Sequence, residues 1–238
     1  NAAKKKLTIC EITLTEGDYI SLDGSTGNVY EGVLPTTDPK ITGNFETLLN
    51  WAKEVKKIGV RANADLAKDA LVAFNFGAEG IGLCRTEHMF FEENKIFAIR
   101  KMILAETEEE KEKALNDLLP IQTKDFEELF KAANGKILTI RYLDPPLHEF
   151  LPKKEEDIKK LAGSLNVTIK SLKEKIESLK QFNPMMGLRG SRLDITYPGL
   201  AIMQTKAILT AAKNVQSQGI EVKPEIMLPL IGDPNELK

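Results

Sequence analysis

Three arginines in this 238-residue chain stand at places where a side chain can meet a ligand. Arg85 ends the apolar segment GIGLCR, Arg141 ends the similar segment KILTIR, and Arg189 lies in the glycine-bounded tetrapeptide GLRG. Arginine presents a planar fork of donors that matches the oxygens of carboxylates and phosphates in pairs, and it stays charged at physiological pH. The three residues therefore predict one anion site, suited to a small ligand that carries both groups.

Other polar residues follow the same two segments. Asp144 comes three residues after Arg141, and Glu87 is predicted either to orient Arg85 or to act on a substrate. His88 could act as a base or a phosphoryl carrier, whereas His148 is expected to be a loop or interface residue. A structural interpretation is preferred for both, because neutral histidines beside aromatic residues or in loops are more common; the histidines are His88 and His148.

From Asn44 onward, strand-like patterns alternate with helical ones. Such alternation predicts right-handed crossovers and a parallel sheet, with core strands expected at residues 58–62, 80–85, 137–142 and 224–229. The predicted fold is α/β, a partial (β/α)8 TIM-type barrel of about four parallel strands, because a complete barrel needs eight. In such a barrel the loops at the carboxyl ends of the strands form the active face. Four predicted strand-end residues should therefore border that face: Arg85, Arg141, Arg61 and Asn63.

The helical patterns give further expectations. Asp65 is expected to open a helix that Gly77 closes, and separate helices are expected at 107–119 and 123–133. The charged segment 152–181 is predicted to form two amphipathic helices inserted between core elements, and 197–216 to form one long helix.

The chain is predicted to have two parts joined by a linker. Residues 1–33 carry short strand patterns separated by turn sequences such as Asp23-Gly24, typical of a small β element. Residues 34–43 contain two prolines and no apolar periodicity, which favours a linker. Residues 44–238 form the barrel part.

Composition excludes several classes of protein. With 33 basic and 35 acidic side chains, the net charge of −2 does not favour nucleic acid or an anionic membrane as a partner. The amino-terminal apolar stretch is too short and polar for a signal or a membrane span, so a cytoplasmic protein is expected.

Cys10 and Cys84 exclude a dense disulfide framework and are expected to be buried, reduced thiols. The methionines Met185, Met186 and Met203 are expected to fill the core.

Four segments together carry a family resemblance: GAEGIGLCRTEHMFF, IRYLDPPLHEF, NPMMGLRGSR and EIMLPL. They resemble the phosphoenolpyruvate (PEP)-utilising enzymes, a family that includes pyruvate phosphate dikinase, PEP synthase and enzyme I of the sugar phosphotransferase system. The first two look like the dikinase version, and the other two members remain alternatives. The resemblance covers essentially the whole chain. Residues 1–33 look like the tail of the family's swivelling phosphohistidine domain, and 44–238 look like the first half of its PEP/pyruvate barrel.

The resemblance implies a function for the arginine site. It makes Arg85 and Arg141 ligands of the phosphate and carboxylate of PEP, Arg189 a third arginine at the phosphoryl group, and Asp144 a residue that holds an arginine in place. The reaction it implies converts ATP, pyruvate and phosphate to AMP, PEP and diphosphate through a phosphohistidine. The implied partners are PEP or pyruvate and the remaining domains of the parent enzyme, as a homo-oligomer.

The same resemblance places part of the chemistry outside these residues. Neither histidine fits the context of the phosphocarrier, and the Mg²⁺ ligands and the proton-donating cysteine of the family belong to later strands. No catalytic residue and no metal ligand is therefore expected in this chain, which should bind but not turn over alone. Its open sheet edges favour dimerisation. Two other classes remain open: a stand-alone module that binds phosphorylated carboxylic acids, and an oligomerisation fragment that binds no ligand.

Overall fold

The computed structural model of the chain describes residues 5–9, 11–37, 39–91 and 93–237. The chain divides into two compact units, Asn1–Val55 and Lys56–Lys238. The prediction that Cys10 is buried falls outside the described residues.

The first unit contains two short hairpins and a helix. Antiparallel pairing joins β1 to β2 and β3 to β4, and α1 follows; the bounds are Lys6–Ile9, Ile12–Thr15, Ile20–Leu22, Val29–Glu31 and Gly43–Val55. The carboxylate of Asp23 accepts hydrogen bonds from the hydroxyls of Ser25 at 2.6 Å and Thr26 at 2.7 Å. These bonds lower the pKa of Asp23 to about 2 and fix the β3–β4 turn, so the predicted turn is confirmed.

The second unit alternates strands and helices. Its strands are β5 (Arg61–Asn63), β6 (Gly80–Arg85), β7 (Ile137–Arg141) and β8 (Lys223–Met227). Its helices are α2 (Ala67–Asn75), α3 (Thr86–Met89), α4 (Glu93–Leu104), α5 (Glu108–Ala133), α6 (Glu155–Leu165), α7 (Ile169–Leu179), α8 (Ser191–Thr196) and α9 (Pro198–Gln216). None of the helices in the described ranges is long and apolar enough to cross a membrane.

The four strands of the second unit form one parallel sheet in the order β5-β6-β7-β8. At one end of the sheet Gly80 pairs with Ile137, and at the other end Arg85 pairs with Arg141. The α/β fold with a partial parallel barrel is therefore confirmed, preceded by a small antiparallel element.

Helices α2, α5 and α9 cover one face of this sheet. Strand residues that point to that face are fully buried; they include Ile81, Cys84, Leu138 and Ile140. They belong to one core cluster with apolar helix residues such as Phe126, Phe130, Ile208 and Val215. Burying this much apolar surface on one face anchors the strands, and so fixes where their carboxyl ends lie.

Two predictions about element boundaries are wrong. The first core strand begins at Arg61 rather than residue 58, because the carboxylate of Glu79 binds the Val60 N–H at 2.9 Å and replaces a ladder bond there. Helix α5 is continuous, although Pro120 lies inside it. Buried apolar residues on both sides of the proline, including Leu118 and Phe126, hold the helix together despite the lost hydrogen bond.

The two helices predicted in 152–181 are confirmed as α6 and α7, and the long helix predicted at 197–216 is confirmed as α9. A capping box also fixes the start of α5, where the Thr107 hydroxyl accepts from the Glu110 N–H and the Glu110 carboxylate accepts from the Thr107 N–H.

Helix α8 carries a carboxylate that should make stability depend on pH. Both oxygens of Asp194 are buried and have no hydrogen-bond partner among the described residues, and burial raises its pKa from 3.8 to about 7. The free-energy cost of burying the charged Asp194 carboxylate is absent below pH 3.8, where this group is protonated in both the folded and the unfolded chain. The cost is complete above about pH 7. The free energy of unfolding should therefore fall as the pH rises through this window.

Asp194→Asn is expected to flatten this dependence and, at pH 8, to raise the free energy of unfolding by about 1 kcal/mol or more. Urea unfolding at pH 5 and pH 8 measures the effect. The control Asp117→Asn, at an exposed carboxylate of α5, should change stability by less than about 0.5 kcal/mol. A variant no more stable than the parent at pH 8 would show that Asp194 is not buried in its charged form.

Candidate functional site

The parallel register of the sheet places Arg85 beside Arg141. The two residues are the last pair of the β6–β7 ladder, on strands about 4.8 Å apart, so their side chains leave the same face at the carboxyl end of the sheet. Cys84, one residue earlier, points to the opposite face and is fully buried. Burial, and then the nearby Asp65 and Glu87 carboxylates, raise the pKa of the Cys84 thiol far above its ordinary value, so it stays protonated.

Two carboxylates hold Arg141. Glu87, the second residue of α3, accepts a short hydrogen bond from its guanidinium, and Asp144 lies 2.9 Å from Nη1. Glu87 and Asp144 are 6% and 5% exposed, so both pairs lie in a poorly solvated region where charge pairing is strong. The sequence analysis offers Arg85 as the partner of Glu87, but in the structure Glu87 contacts Arg141.

Asp144 also holds Arg189. Its Oδ2 lies 2.7 Å from Nη2 and its Oδ1 accepts from Nε at 3.3 Å, which is a bidentate fork. The loop that carries Arg189 is fixed by Gly190, whose N–H donates to the Asp144 carbonyl at 3.1 Å. Gly190 has a φ of +57°, and a Cβ there would lie 2.9 Å from the Pro229 carbonyl, so only glycine fits.

The segment before Arg189 is open to solvent. Met185 is 69% exposed and Met186 is 75% exposed, so the expectation that they fill the core is wrong, whereas Met203 is buried as expected. The first two lie in the loop between α7 and α8, which leaves both side chains largely in solvent. The sulfur of Met185 lies 3.6 Å from Nη1 of Arg189.

Arg85 differs from the other two arginines. Among the described residues, no carboxylate forms an ion pair with its guanidinium. Its backbone N–H donates to Asp65 Oδ1 at 2.7 Å, and Asp65 Oδ2 lies 2.8 Å from His88 Nδ1. One carboxylate therefore fixes the end of β6 and orients the imidazole, while the Arg85 side chain stays available to a ligand.

Sequence reasoning missed this role of Asp65. It was expected to open the following helix, but that helix begins at Ala67, and its N-cap residue Leu66 makes no side-chain cap bond. The signal was present: Asp65 lies two residues after the carboxyl end of β5, where polar residues of such a sheet meet the active face.

Arg61 does not border this face. It pairs with Gly80, at the amino end of the sheet, and its guanidinium binds Glu225 at 2.6 Å and Thr139 at 3.2 Å. The Arg61 hydrogen bond, and then one from the Thr139 hydroxyl at 2.7 Å, lower the pKa of Glu225. The prediction for Arg61 is wrong because the strand starts later than expected, which moves the arginine from the strand's end to its beginning. Asn63, the last residue of β5, lies at the carboxyl end.

The carboxylates of the site do not form a metal site. Among the described residues no cluster of three or more His, Cys, Asp or Glu is placed to hold an ion, and Glu87 and Asp144 are already bound to arginines. Magnesium is usually bound by one or two carboxylates together with waters and phosphate oxygens, and at Glu87 and Asp144 guanidinium groups occupy carboxylate oxygens instead. His148 lies in a 3-10 helix, Leu147–Phe150, and its Nδ1 has no hydrogen-bond partner among the described residues.

One guanidinium of the site has no charged partner among the described residues. Glu87 and Asp144 pair with Arg141 and Arg189, and Asp65 binds the Arg85 N–H and His88, so the Arg85 guanidinium can meet an anion. Arg141 and Arg189 are held in fixed orientations by their partners, which lowers the entropy lost when they bind a ligand. The arrangement can receive a small ligand with several anionic oxygens.

Comparisons with known proteins agree with this chemistry. A family model described as "PEP-utilising enzyme, PEP-binding domain" matches residues 40–238. A pyruvate, phosphate dikinase of Clostridium symbiosum is 52% identical over 227 residues, covering 95% of this chain and 26% of that protein. A pyruvate, phosphate dikinase of Giardia intestinalis is 48% identical over 238 residues, covering 100% of this chain and 27% of that protein. Pyruvate, phosphate dikinase 2 of Oryza sativa subsp. japonica is 52% identical over 240 residues, again covering 100% and 27%. The chain therefore spans about a quarter of the length of these relatives.

Proposed function

This chain belongs to the PEP-utilising enzymes, through their PEP-binding domain, and we propose that it is the PEP- and pyruvate-binding part of a pyruvate, phosphate dikinase. In this proposal the parent enzyme interconverts ATP, pyruvate and phosphate with AMP, PEP and diphosphate through a phosphohistidine. The chain contributes the arginines that hold the substrate.

The observation that carries the proposal is the placement of Arg85 beside Arg141, with Arg141 and Arg189 both bound to Asp144. PEP has a phosphate and a carboxylate on one small molecule, and arginine forks match both groups in pairs. We propose that Arg85 and Arg141 bind the phosphate and carboxylate, that Arg189 binds the phosphoryl group, and that Asp144 orients Arg141 and Arg189.

The proposed mechanism needs little covalent chemistry from these residues. Phosphoryl transfer depends mainly on positioning and on neutralising the charge of the phosphoryl oxygens. Arg141 and Arg189, fixed by Asp144 and Glu87, present donors that need not reorient as charge moves between the phosphoryl group and the enolate oxygen. Arg85 completes this environment when the ligand enters.

We assign the parts of the chain by the same proposal. Residues 1–33 are the end of the swivelling phosphohistidine domain, 34–43 are a linker, and 44–238 are the first half of the barrel, with a helical insertion at 152–181. The parent enzyme uses Mg²⁺, bound by carboxylates other than Glu87 and Asp144, and it is a cytoplasmic homo-oligomer. Open ladder edges on β5 and β8 within the described sheet support a further strand partner there.

Titration of the chain with PEP tests the proposal. Saturable binding is expected, stronger for PEP than for inorganic phosphate or pyruvate alone, because each of these supplies only one of the two anionic groups. Adding Mg²⁺ should leave the affinity unchanged, since Glu87 and Asp144 are paired with arginines and no cluster of three or more metal-binding side chains lies among the described residues. Isothermal titration calorimetry, with 2-phosphoglycolate as a second phospho-carboxylate, measures these differences.

The alternative classes give other results. A stand-alone module for phosphorylated carboxylic acids would bind 2-phosphoglycolate as well as PEP, and a longer form of the protein would show no dikinase activity. An oligomerisation fragment would bind neither ligand, which would overturn the proposal. Formation of PEP by these 238 residues alone would contradict the assignment of the phosphohistidine to another part of the enzyme.

A further inference from the structure

Helix α9 sends one polar side chain beneath the arginine site. Gln204 is fully buried among apolar residues of that helix. Its Nε2 donates to the hydroxyl of Thr86 at 3.1 Å, and its Oε1 accepts from the Leu143 N–H at 3.0 Å. The amide therefore bridges the segments that follow β6 and β7, which are otherwise far apart in the sequence.

Both contacts of Gln204 are flanked by residues of the site. Thr86 lies between Arg85 and Glu87, and Leu143 directly precedes Asp144. The β6–β7 ladder ends at the pair Arg85 and Arg141, so ladder hydrogen bonds no longer join the two segments at this point. Just beyond the last ladder pair, the Gln204 side-chain amide joins Thr86 to Leu143 in place of backbone hydrogen bonds.

We propose that Gln204 is a positioning residue, which sets the separation of the two segments and so the relative placement of Arg85, Glu87, Arg141 and Asp144. This inference rests on the proposed function, since positioning is measured through PEP binding. A side-chain amide suits the task because one planar group offers a donor and an acceptor in opposite directions. Water is excluded from the bridge, since Thr86, Leu143 and Gln204 are all 0% exposed, and this strengthens both bonds.

A second buried glutamine in the same core shows that burial alone does not explain Gln204. Gln122, on α5, is also 0% exposed, but neither atom of its amide has a hydrogen-bond partner among the described residues. A bonded and an unbonded amide are therefore buried to the same extent. The same substitution at both positions separates the loss of the bridge from the loss of a buried amide.

The test replaces Gln204 with methionine, which has nearly the same length and no donor. Gln204→Met is expected to weaken PEP binding about 10-fold, because the two segments lose their shared partner. Hydrogen exchange of the Leu143 amide should accelerate by about 10-fold or more, since its acceptor is gone. Thr86→Val, which removes the acceptor of Nε2 with little change of shape, should weaken PEP binding in the same direction and serves where Gln204→Met folds poorly.

Two variants control for stability and for burial. Gln122→Met makes the matched change and should leave PEP affinity and Leu143 exchange as in the parent chain. Ile208→Val removes one methylene from a fully buried residue of α9 and no hydrogen bond, so it lowers stability without touching the bridge. It should bind PEP as the parent does.

The outcomes separate this inference from the proposed function. If the parent chain does not bind PEP, the proposed function fails. The bridge would still be established if the Leu143 amide exchanges slowly in the parent chain and faster in Gln204→Met. If the parent binds PEP and both Gln204→Met and Thr86→Val bind equally well, the positioning role is overturned. Equal losses in Gln204→Met and Ile208→Val would overturn it too, because they would trace the effect to stability.

Discussion

Replacing Asp144 with alanine is expected to lower the free energy of unfolding by about 3–5 kcal/mol and to abolish measurable PEP binding. The carboxylate is 5% exposed and is shared by Arg141 and Arg189. Without it, two poorly solvated guanidinium groups face each other with only Glu87 to balance them. Urea unfolding followed by circular dichroism measures the first effect, and calorimetric titration with PEP measures the second.

Two further variants show which property of Asp144 matters. Asp144→Asn keeps an acceptor and the shape but loses the charge, so its destabilisation should lie between those of the parent and the alanine variant. Glu155→Ala breaks an exposed ion pair with Lys173 and should cost less than about 1 kcal/mol. If Asp144→Ala is no more destabilising than Glu155→Ala, the two arginines do not depend on this carboxylate. The backbone bond from Gly190 to the Asp144 carbonyl remains in each Asp144 variant, so the loop is not released directly.

The sequence predicted where Arg85 and Arg141 lie, and the reason is geometric. Each ends an apolar segment, the carboxyl ends of parallel strands meet at one edge, and the period of two in a strand separates Arg85 from Cys84. The same rule failed for Arg61, since an error of three residues at the start of a short strand moved it to the other end of the sheet. Placement by strand ends is therefore only as good as the strand boundary.

The partners of these arginines could not be read from sequence. Glu87 and Arg141 are 54 residues apart, and Gln204 and Thr86 are 118 apart, so their contacts depend on how helices pack over the sheet. Local patterns carry no information on such pairs. Pro120 shows the same limit: its local chemistry predicts a break, but burial on both sides keeps α5 continuous.

The structure separates two tasks within one group of arginines. Arg141 and Arg189 are bound to carboxylates, so we expect each to contribute to stability as well as to the proposed binding of an anion. Arg85 has no ion pair among the described residues, and its position depends on the backbone bond from its N–H to Asp65. Substitutions at the two kinds of arginine should therefore affect stability differently.

Arg85→Ala is expected to weaken PEP binding about 100-fold, because one charge-assisted fork to the ligand is lost. Its free energy of unfolding should stay within about 0.5 kcal/mol of the parent value, since no ion pair is broken and the backbone bond to Asp65 is kept. Arg141→Ala should lose both affinity and stability, because it leaves Glu87 and Asp144 buried with less positive charge. Calorimetric titration and urea unfolding of both variants measure this difference.

Conservative and remote variants complete the comparison. Arg85→Lys keeps the charge but not the planar fork, so it should recover only part of the affinity. Arg192→Ala removes an arginine that pairs with Glu236, at 3.6 Å, and should bind PEP as the parent chain does. An Arg85→Ala chain with unchanged affinity would exclude Arg85 from the site. If Arg85→Ala loses as much stability as Arg141→Ala, Arg85 supports the fold. The arginines then do not divide into two that are bound to carboxylates and one that is available to a ligand.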